Sequence, residues 1–258
     1  MSRQYLTTLD IARSVGVHPN TVRLYEAWGY LPPVTRSRAG YRQFTERHRD
    51  QMRLARTALH GPYPGGKALV DNLVKRAAGG DLGGAFERAY AYLARVRAER
   101  AQAEAAVQFL ERWAHGRASD AITEPLQIGA VAQLLGVTRD ALRNWERNGL
   151  IRVPRNPTNR YRLYTGVHIG RLRVIRMLSR AGYSMMAILR MLSTLDHGQA
   201  GDLRQVLDTP RPDEDVYSAA DRWLSTLAGQ EQRALDVITI LEEMIIKSSA
   251  AGMVAQAA

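Results

Sequence analysis

The sequence repeats itself at an offset of 120 residues, so whatever the first 80 residues fold into must be built again further along. Leu6 falls on Leu126, Ala12 on Ala132, Gly16-Val17 on Gly136-Val137, Arg23 on Arg143, Glu26 on Glu146 and Gly29 on Gly149. The register holds without a gap through Tyr41-Arg42 on Tyr161-Arg162, Thr45 on Thr165, His48 on His168, Arg53 on Arg173, Arg56 on Arg176, Tyr63 on Tyr183 and Leu69 on Leu189. Conservative pairs such as Ile11/Val131, Val22/Leu142, Leu31/Ile151 and Phe44/Tyr164 lie between them. Chance does not produce an ordered set of this kind; a tandem duplication does.

Charge follows the repeat. The chain carries a formal net charge of +11. Residues 1–80 hold 13 basic against 5 acidic side chains and residues 121–200 hold 12 against 4. Segment 81–120 is balanced at 6 of each, and 201–258 is acidic, with 5 against 10. Two basic lobes with neutral or acidic connectors point to two polyanion-binding surfaces, the alternative being charge kept for solubility. Of the 36 basic residues 33 are arginine, which suits bidentate contact with phosphate and guanine; a GC-rich genome would give the same bias.

Local signals repeat as well. Residues 8–14 are patterned as a short helix ending at Gly16, where a left-handed residue is expected. A second helix starts near Pro19, and its counterpart follows the N-cap Thr138; both run to a glycine, Gly29 or Gly149. Two short helices around a glycine turn make a helix-turn-helix, whose second helix can enter a major groove. Leu31–Phe44 and Ile151–Tyr164 then read as a small β wing, followed by a third helix from Thr45 or Thr165 and a fourth from about Gly65 or Ser184. Leu9, Ile11, Val15, Val22, Leu31 and their partners are the expected core.

These motifs resemble the winged helix-turn-helix of the MerR family. In the second repeat they are Gly136-Val137-Thr138, Ala141-Leu142-Arg143-Asn144-Trp145-Glu146, Gly149-Leu150-Ile151 and Asn159-Arg160-Tyr161-Arg162-Leu163-Tyr164. In the first they are Gly16-Val17-His18, Thr21-Val22-Arg23-Leu24-Tyr25-Glu26, Gly29-Tyr30-Leu31 and Gly40-Tyr41-Arg42-Gln43-Phe44. The duplication is similar to the subgroup with two such domains in one chain. The family's usual Arg-Tyr-Tyr is replaced by Arg23-Leu24-Tyr25 and Arg143-Asn144-Trp145, so the two lobes are expected to prefer different bases.

The resemblance implies DNA contacts at Arg23, Tyr25, Arg36, Arg38, Tyr41 and Arg42, and at Arg143, Trp145, Arg160, Tyr161 and Arg162. Arg155 is a further wing arginine. Arg23 and Arg143 sit where a guanidinium reaches phosphate or a base edge, with pairing to Glu26 or Glu146 three residues on as the alternative. Arg42 and Arg162 fit phosphate contacts from the wing, while Tyr41 and Tyr161 could equally pack beneath it. His48 and His168 read as structural.

Several classes are excluded or disfavoured. Without cysteine there is no disulfide, thiolate metal site or thiol nucleophile, and the thiolate effector sites of metal-sensing relatives are missing too. The histidines show no metal-ligand spacing, and no nucleophile elbow or phosphate-binding glycine loop occurs, so neither an enzyme nor a cofactor is expected. No apolar run of about 18 residues is present and residues 1–10 lack a signal-peptide core, giving a cytoplasmic expectation with no membrane partner.

Two further segments carry heptad-like stripes. In 86–114 the stripe includes Leu93, Arg100 and Val107; in 216–248 it includes Val216, Leu227, Gln230 and Leu241. Paired antiparallel, they would bring Arg100 to Gln230 or Glu231 as a polar register point; packing of each helix on its own lobe is the alternative. The expected architecture is therefore mainly α: a first winged helix-turn-helix domain at 1–80, a long connecting helix at 85–116, a second such domain at 121–200 and a C-terminal coiled-coil helix at 214–248. By resemblance, the chain would bind double-stranded promoter DNA, distort its spacer and act on RNA polymerase through the promoter. A monomer imitating a dimer, with two heads about one helical turn or more apart, is favoured over a homodimer, and a small-molecule effector is left open. Competing functions are an architectural or recombination accessory protein, and a drug-binding protein on the same scaffold.

Overall fold

A computed structural model of the chain describes residues 5–63, 66–116, 124–198, 202–210 and 219–256, the last with side chains to 250 apart from that of 219. It is mainly helical, with two two-stranded antiparallel sheets among the described residues. The chain forms two compact units whose limits differ from those of the repeat, and only one of them is continuous in sequence. One unit comprises residues 1–98 and 228–258, the other residues 99–227.

In the first unit, α1 (Thr8–Ser14) starts at a capping box in which Thr7 and Asp10 satisfy each other's backbone ends. Gly16, at φ +65°, turns the chain into α2 (Pro19–Ala27). Strands β1 (Thr35–Arg36) and β2 (Arg42–Gln43) form a hairpin in which Arg36 faces Arg42, and Phe44 bridges back to Leu6 ahead of α1. Helices α3 (Glu46–Ala58) and α4 (Lys67–Ala78) follow. Ile11, Val22, Phe44, Met52, Leu54 and Val74 form the core of this lobe. Leu9 does not join it: it is 44% exposed. On so short a helix Ile11 and Ala12 take the inward face, and Leu9, two residues before Ile11, points the other way.

The first half of α5 (Leu82–Ala114) completes that core with Ala85, Ala89, Leu93 and Val96. So does the latter part of α11 (Trp223–Gln256), through Ala234, Val237, Leu241 and Met244. Tyr92 donates its hydroxyl to Gln230 Oε1 at 3.1 Å, and Arg97 Nε lies 2.8 Å from Glu231. Arg53 holds Glu243 at 2.9 Å, and Lys247 holds Asp50 at 2.8 Å.

The second unit repeats the plan. Strand β3 (Leu126–Gln127) pairs with β4 (Leu163–Tyr164) around α6 (Ile128–Leu135), and the hairpin arms meet at Arg155 and Arg162. Gly136 closes α6 in the left-handed conformation and Thr138 caps α7 (Arg139–Arg147), as the sequence predicts. α8 (Gly166–Arg180) and α9 (Met185–Asp196) match α3 and α4. The second half of α5 adds Ala103, Val107 and Leu110 to this core, and Leu227 from α11 joins them. Arg100 Nε lies 3.2 Å from Glu104, one turn along the same helix.

Two features are not in the sequence reading, the 3-10 turn ahead of α11 and an added helix after α9, and two expected segments fall partly outside the described residues. α11 begins at Trp223, preceded by a 3-10 turn at Ala219–Arg222, and residues 214–218 of the expected 214–248 helix, Val216 included, lie outside the described residues. The connector expected at 115–125 lies outside them at 117–123. An extra helix, α10 (Leu203–Asp208), packs on α9 and the 3-10 turn. Buried Arg190 ties that addition down, with Nε donating to Val206 O at 2.7 Å and Nη2 to Leu207 O at 3.2 Å and Asp221 O at 3.3 Å.

Candidate nucleic-acid interface

In each unit the second helix and the hairpin that follows are bound by the same ion pair. Arg42 Nε sits 2.5 Å from Glu26 Oε2, and Arg162 Nε sits 2.7 Å from Glu146 Oε2. All four side chains are about a quarter exposed or less, so these pairs are better shielded from solvent than ordinary surface bridges. Glu146 also holds the Arg162 guanidinium above its ordinary pKa. The carboxylates three residues after Arg23 and Arg143 therefore serve the hairpin rather than their own helix. Arg23 instead donates to Asn20 Oδ1 at 3.3 Å, and Arg143 pairs with Asp140 at 2.9 Å.

Two of the residues expected to contact DNA are buried. Tyr25 is 9% exposed and Trp145 8%, and each belongs to the core of its lobe. Tyr25 packs edge-on against Tyr30 with ring centroids 5.5 Å apart, and burial raises its pKa. A ring seated in the core offers no face to a base. The exposed face of α2 is made instead by Asn20, Arg23, Leu24, Ala27 and Trp28; on α7, Asp140, Arg143, Arg147 and Asn148 are exposed and Asn144 is half-buried. Leu24 and Trp28 are about half exposed, an apolar pair that the second lobe replaces with Asn144 and Asn148, themselves joined at 3.1 Å.

The hairpins place the other candidates in solvent. Tyr41 is 76% exposed and Tyr161 62%, so neither packs beneath its hairpin. Arg36 donates to Gly40 O at 3.1 Å, bracing the tip, and Arg38 is exposed beside it. In the second lobe Arg155 reaches Arg160 O at 3.4 Å, and Arg160 itself adopts φ +62° where the first lobe has Gly40. Arg139, Arg143, Arg155, Arg160 and Arg162 line one cleft together with Gly129 and Tyr161. Arg139, which the sequence reading did not single out, is the member that a residue-by-residue alignment of the lobes reveals: its counterpart is Pro19.

His48 and His168 behave as structural groups. Each takes the third position of a helical capping box, with Nδ1 3.1 Å from the backbone N of Thr45 or Thr165. His48 Nε2 faces Pro33 O at 3.3 Å. An Nδ1 that accepts from a backbone N–H requires neutral imidazole, and burial lowers both pKa values. Among the described residues no three His, Asp or Glu side chains gather as a metal cage would require, and no helix is long and apolar enough to cross a membrane.

Comparison with known proteins identifies the two lobes. Residues 6–63 and 126–195 each match the MerR HTH family regulatory protein model. Both lobes belong to the MerR family. Among curated MerR-type relatives, a mercuric resistance operon regulatory protein of Bacillus cereus is 31% identical over 74 residues, 29% of this chain and 56% of its own length. The HTH-type transcriptional regulator CueR of Escherichia coli is 33% identical over 60 residues, covering 23% of this chain and 44% of itself. A ZntR homolog of Haemophilus influenzae is 32% identical over 85 residues, covering 32% and 63%. The chain thus spans about half the length of the curated relatives it matches. No solved structure matches it significantly.

Proposed function

We propose that this chain is a sequence-specific DNA-binding transcriptional regulator that engages promoter DNA with two MerR-type winged heads rather than an enzyme. The observation that carries the reading is the repeated coupling of hairpin to second helix. Arg42–Glu26 and Arg162–Glu146 orient an exposed tyrosine and its arginines beside an exposed helix face, in both lobes. Phosphate contacts from the hairpins would set position and the helices would read base edges.

The long helices support the tandem-subgroup reading. α5 gives Ala85–Val96 to one core and Ala103–Leu110 to the other, while α11 gives residues 234–244 and Leu227 to those same cores. Such order fits antiparallel pairing within one chain, with Leu93, Val107, Leu227 and Leu241 in the seam and Arg100, Gln230 and Glu231 near its centre. One chain would then do what a pair of chains does in single-domain members of the family, acting on RNA polymerase by distorting the promoter spacer. Light scattering decides the stoichiometry: a mass near 28.8 kDa supports the single-chain form, and twice that value replaces it with a homodimer.

The helix faces differ at Asn20/Asp140, Leu24/Asn144 and Ala27/Arg147, so the two half-sites should differ. Selection from randomised duplexes should return an imperfect inverted repeat, and a perfect palindrome would overturn the assignment of these faces. Selection from genomic fragments tests the wider reading: promoter DNA supports it, while attachment sites of mobile elements would favour an architectural role.

A further inference from the structure

We propose that Arg139 is a phosphate-binding residue peculiar to the second lobe, seated across Gly129 in a cleft of five arginines. The proposal deepens the DNA-binding reading and rests on it for the source of the phosphate. A Cβ added to Gly129 would lie 2.9 Å from Arg139 Nη2, so the guanidinium occupies space that any side chain at 129 would contest. The repeat shows both halves of the exchange. Where the second lobe has Gly129 and Arg139, the first has Leu9 and Pro19. The first lobe thus carries a side chain where the second has none, and its Pro19 supplies no cation. At two positions ten residues apart the first lobe is apolar and rigid where the second is empty and cationic.

The surrounding chemistry selects a phosphate. Among the described residues the cleft is lined by Arg139, Arg143, Arg155, Arg160 and Arg162, and by no carboxylate. Asp140 and Glu146 approach Arg143 and Arg162 from outside it, whereas Arg139, Arg155 and Arg160 meet no carboxylate within ion-pair distance among the described residues. Arginines held around a common concavity without lining acids attract a tetrahedral oxyanion and present paired N–H donors to it. A phosphodiester of duplex DNA and a free polyphosphate share that chemistry, and the hairpin and α7 beside the cleft favour the duplex.

The test is the salt dependence of duplex binding by the full chain. Neutralising one phosphate contributes about −0.9 to the slope of log K against log salt. Arg139→Ala should therefore flatten the slope by about that amount, Arg139→Lys should restore most of it, and Gly129→Leu should reproduce the loss while keeping every charge. Circular dichroism checks that each variant folds. An unchanged slope in folded Arg139→Ala overturns the proposal and leaves the DNA-binding reading intact. If the wild-type chain binds no duplex, that reading fails instead, and tripolyphosphate decides the cleft. Thermal protection of wild type that Arg139→Ala loses keeps Arg139 as a ligand for free polyphosphate; equal protection in both overturns it.

Discussion

The two lobes are copies that solve one packing problem with different chemistry. Both must satisfy the backbone carbonyl just after the second helix. In the first lobe Gln51 does so, donating Nε2 to Tyr30 O and to Val74 O, each at 3.0 Å, and Tyr30 passes its hydroxyl to Asp71 at 2.5 Å. In the second lobe Arg171, at the position of Gln51, donates Nε to Leu150 O at 2.7 Å and holds Asp196 with two nitrogens at 2.5 and 2.8 Å. Leu150 and Met191 replace Tyr30 and Asp71, so the polar chain through the first lobe becomes an apolar contact and the charge moves to the rim. The second lobe also adds α10, locked by Arg190 where the first has Val70. A duplicated fold keeps its backbone demands and frees the side chains that meet them.

Breaking the lock in the second unit should give the largest difference. Arg190→Met strips three carbonyls of their donor, two in buried bonds and one in a part-buried bond, and should cost roughly 3 kcal/mol. Hydrogen exchange should then show lost protection across α9, α10 and α8, while amides of α1–α4 keep theirs. Uniform loss would mean that the units do not unfold separately.

Next in size is the strut. Glu26→Gln and Glu146→Gln remove a negative charge from the proposed DNA-facing surface, which on electrostatics alone would strengthen binding. If the ion pair sets the hairpin angle, specific affinity instead falls several-fold in each variant, with a stability cost of about 1 kcal/mol. Tighter binding would show that Arg42 and Arg162 are phosphate ligands held back by their partners.

Tyr30→Phe should destabilise the first unit by about 1 kcal/mol, the net worth of its bond to Asp71, and has no counterpart at Leu150. Asp71 gains from that bond, which draws its pKa below the usual carboxylate value. The difference between wild type and variant in denaturant midpoint should therefore shrink as the pH falls through that lowered value.

The smallest effect is the one the lobes share. His48 and His168 titrate below 6.5 in the folded chain, so their contribution is complete above that pH and lost on acidification as both rings take up protons. Melting temperature should drop from pH 7 toward pH 5.5, less steeply with His48→Gln or His168→Gln. Equal slopes would remove the imidazoles as the cause.

What the sequence made legible follows from how local each signal is. Gly16, Pro19, Thr138 and Gly136 act on their own turn, so helix limits read directly from them. Tyr25 and Trp145 misled because exposure on a nine-residue helix depends on which residues lie opposite, here Tyr30 and the third and fourth helices. Glu26 and Arg42 are 16 residues apart, and only the folded hairpin brings them together. Arg139 was hidden for another reason: its meaning lies in Gly129, and an absent side chain announces nothing until its neighbour is placed. α10 carries no periodic stripe over its six residues and no partner in the first repeat.

The division of the long helices reverses the order in which the lobes can be finished as the chain emerges from the ribosome. Residues 99–227 are consecutive, so the second unit has all its parts once they are made. The first unit, although begun earlier, waits for Ala234, Val237, Ile238, Leu241 and Met244 to close its core. A frameshift or premature stop after residue 228 would therefore spare the nearby lobe and leave the distant, amino-terminal one with an open apolar face.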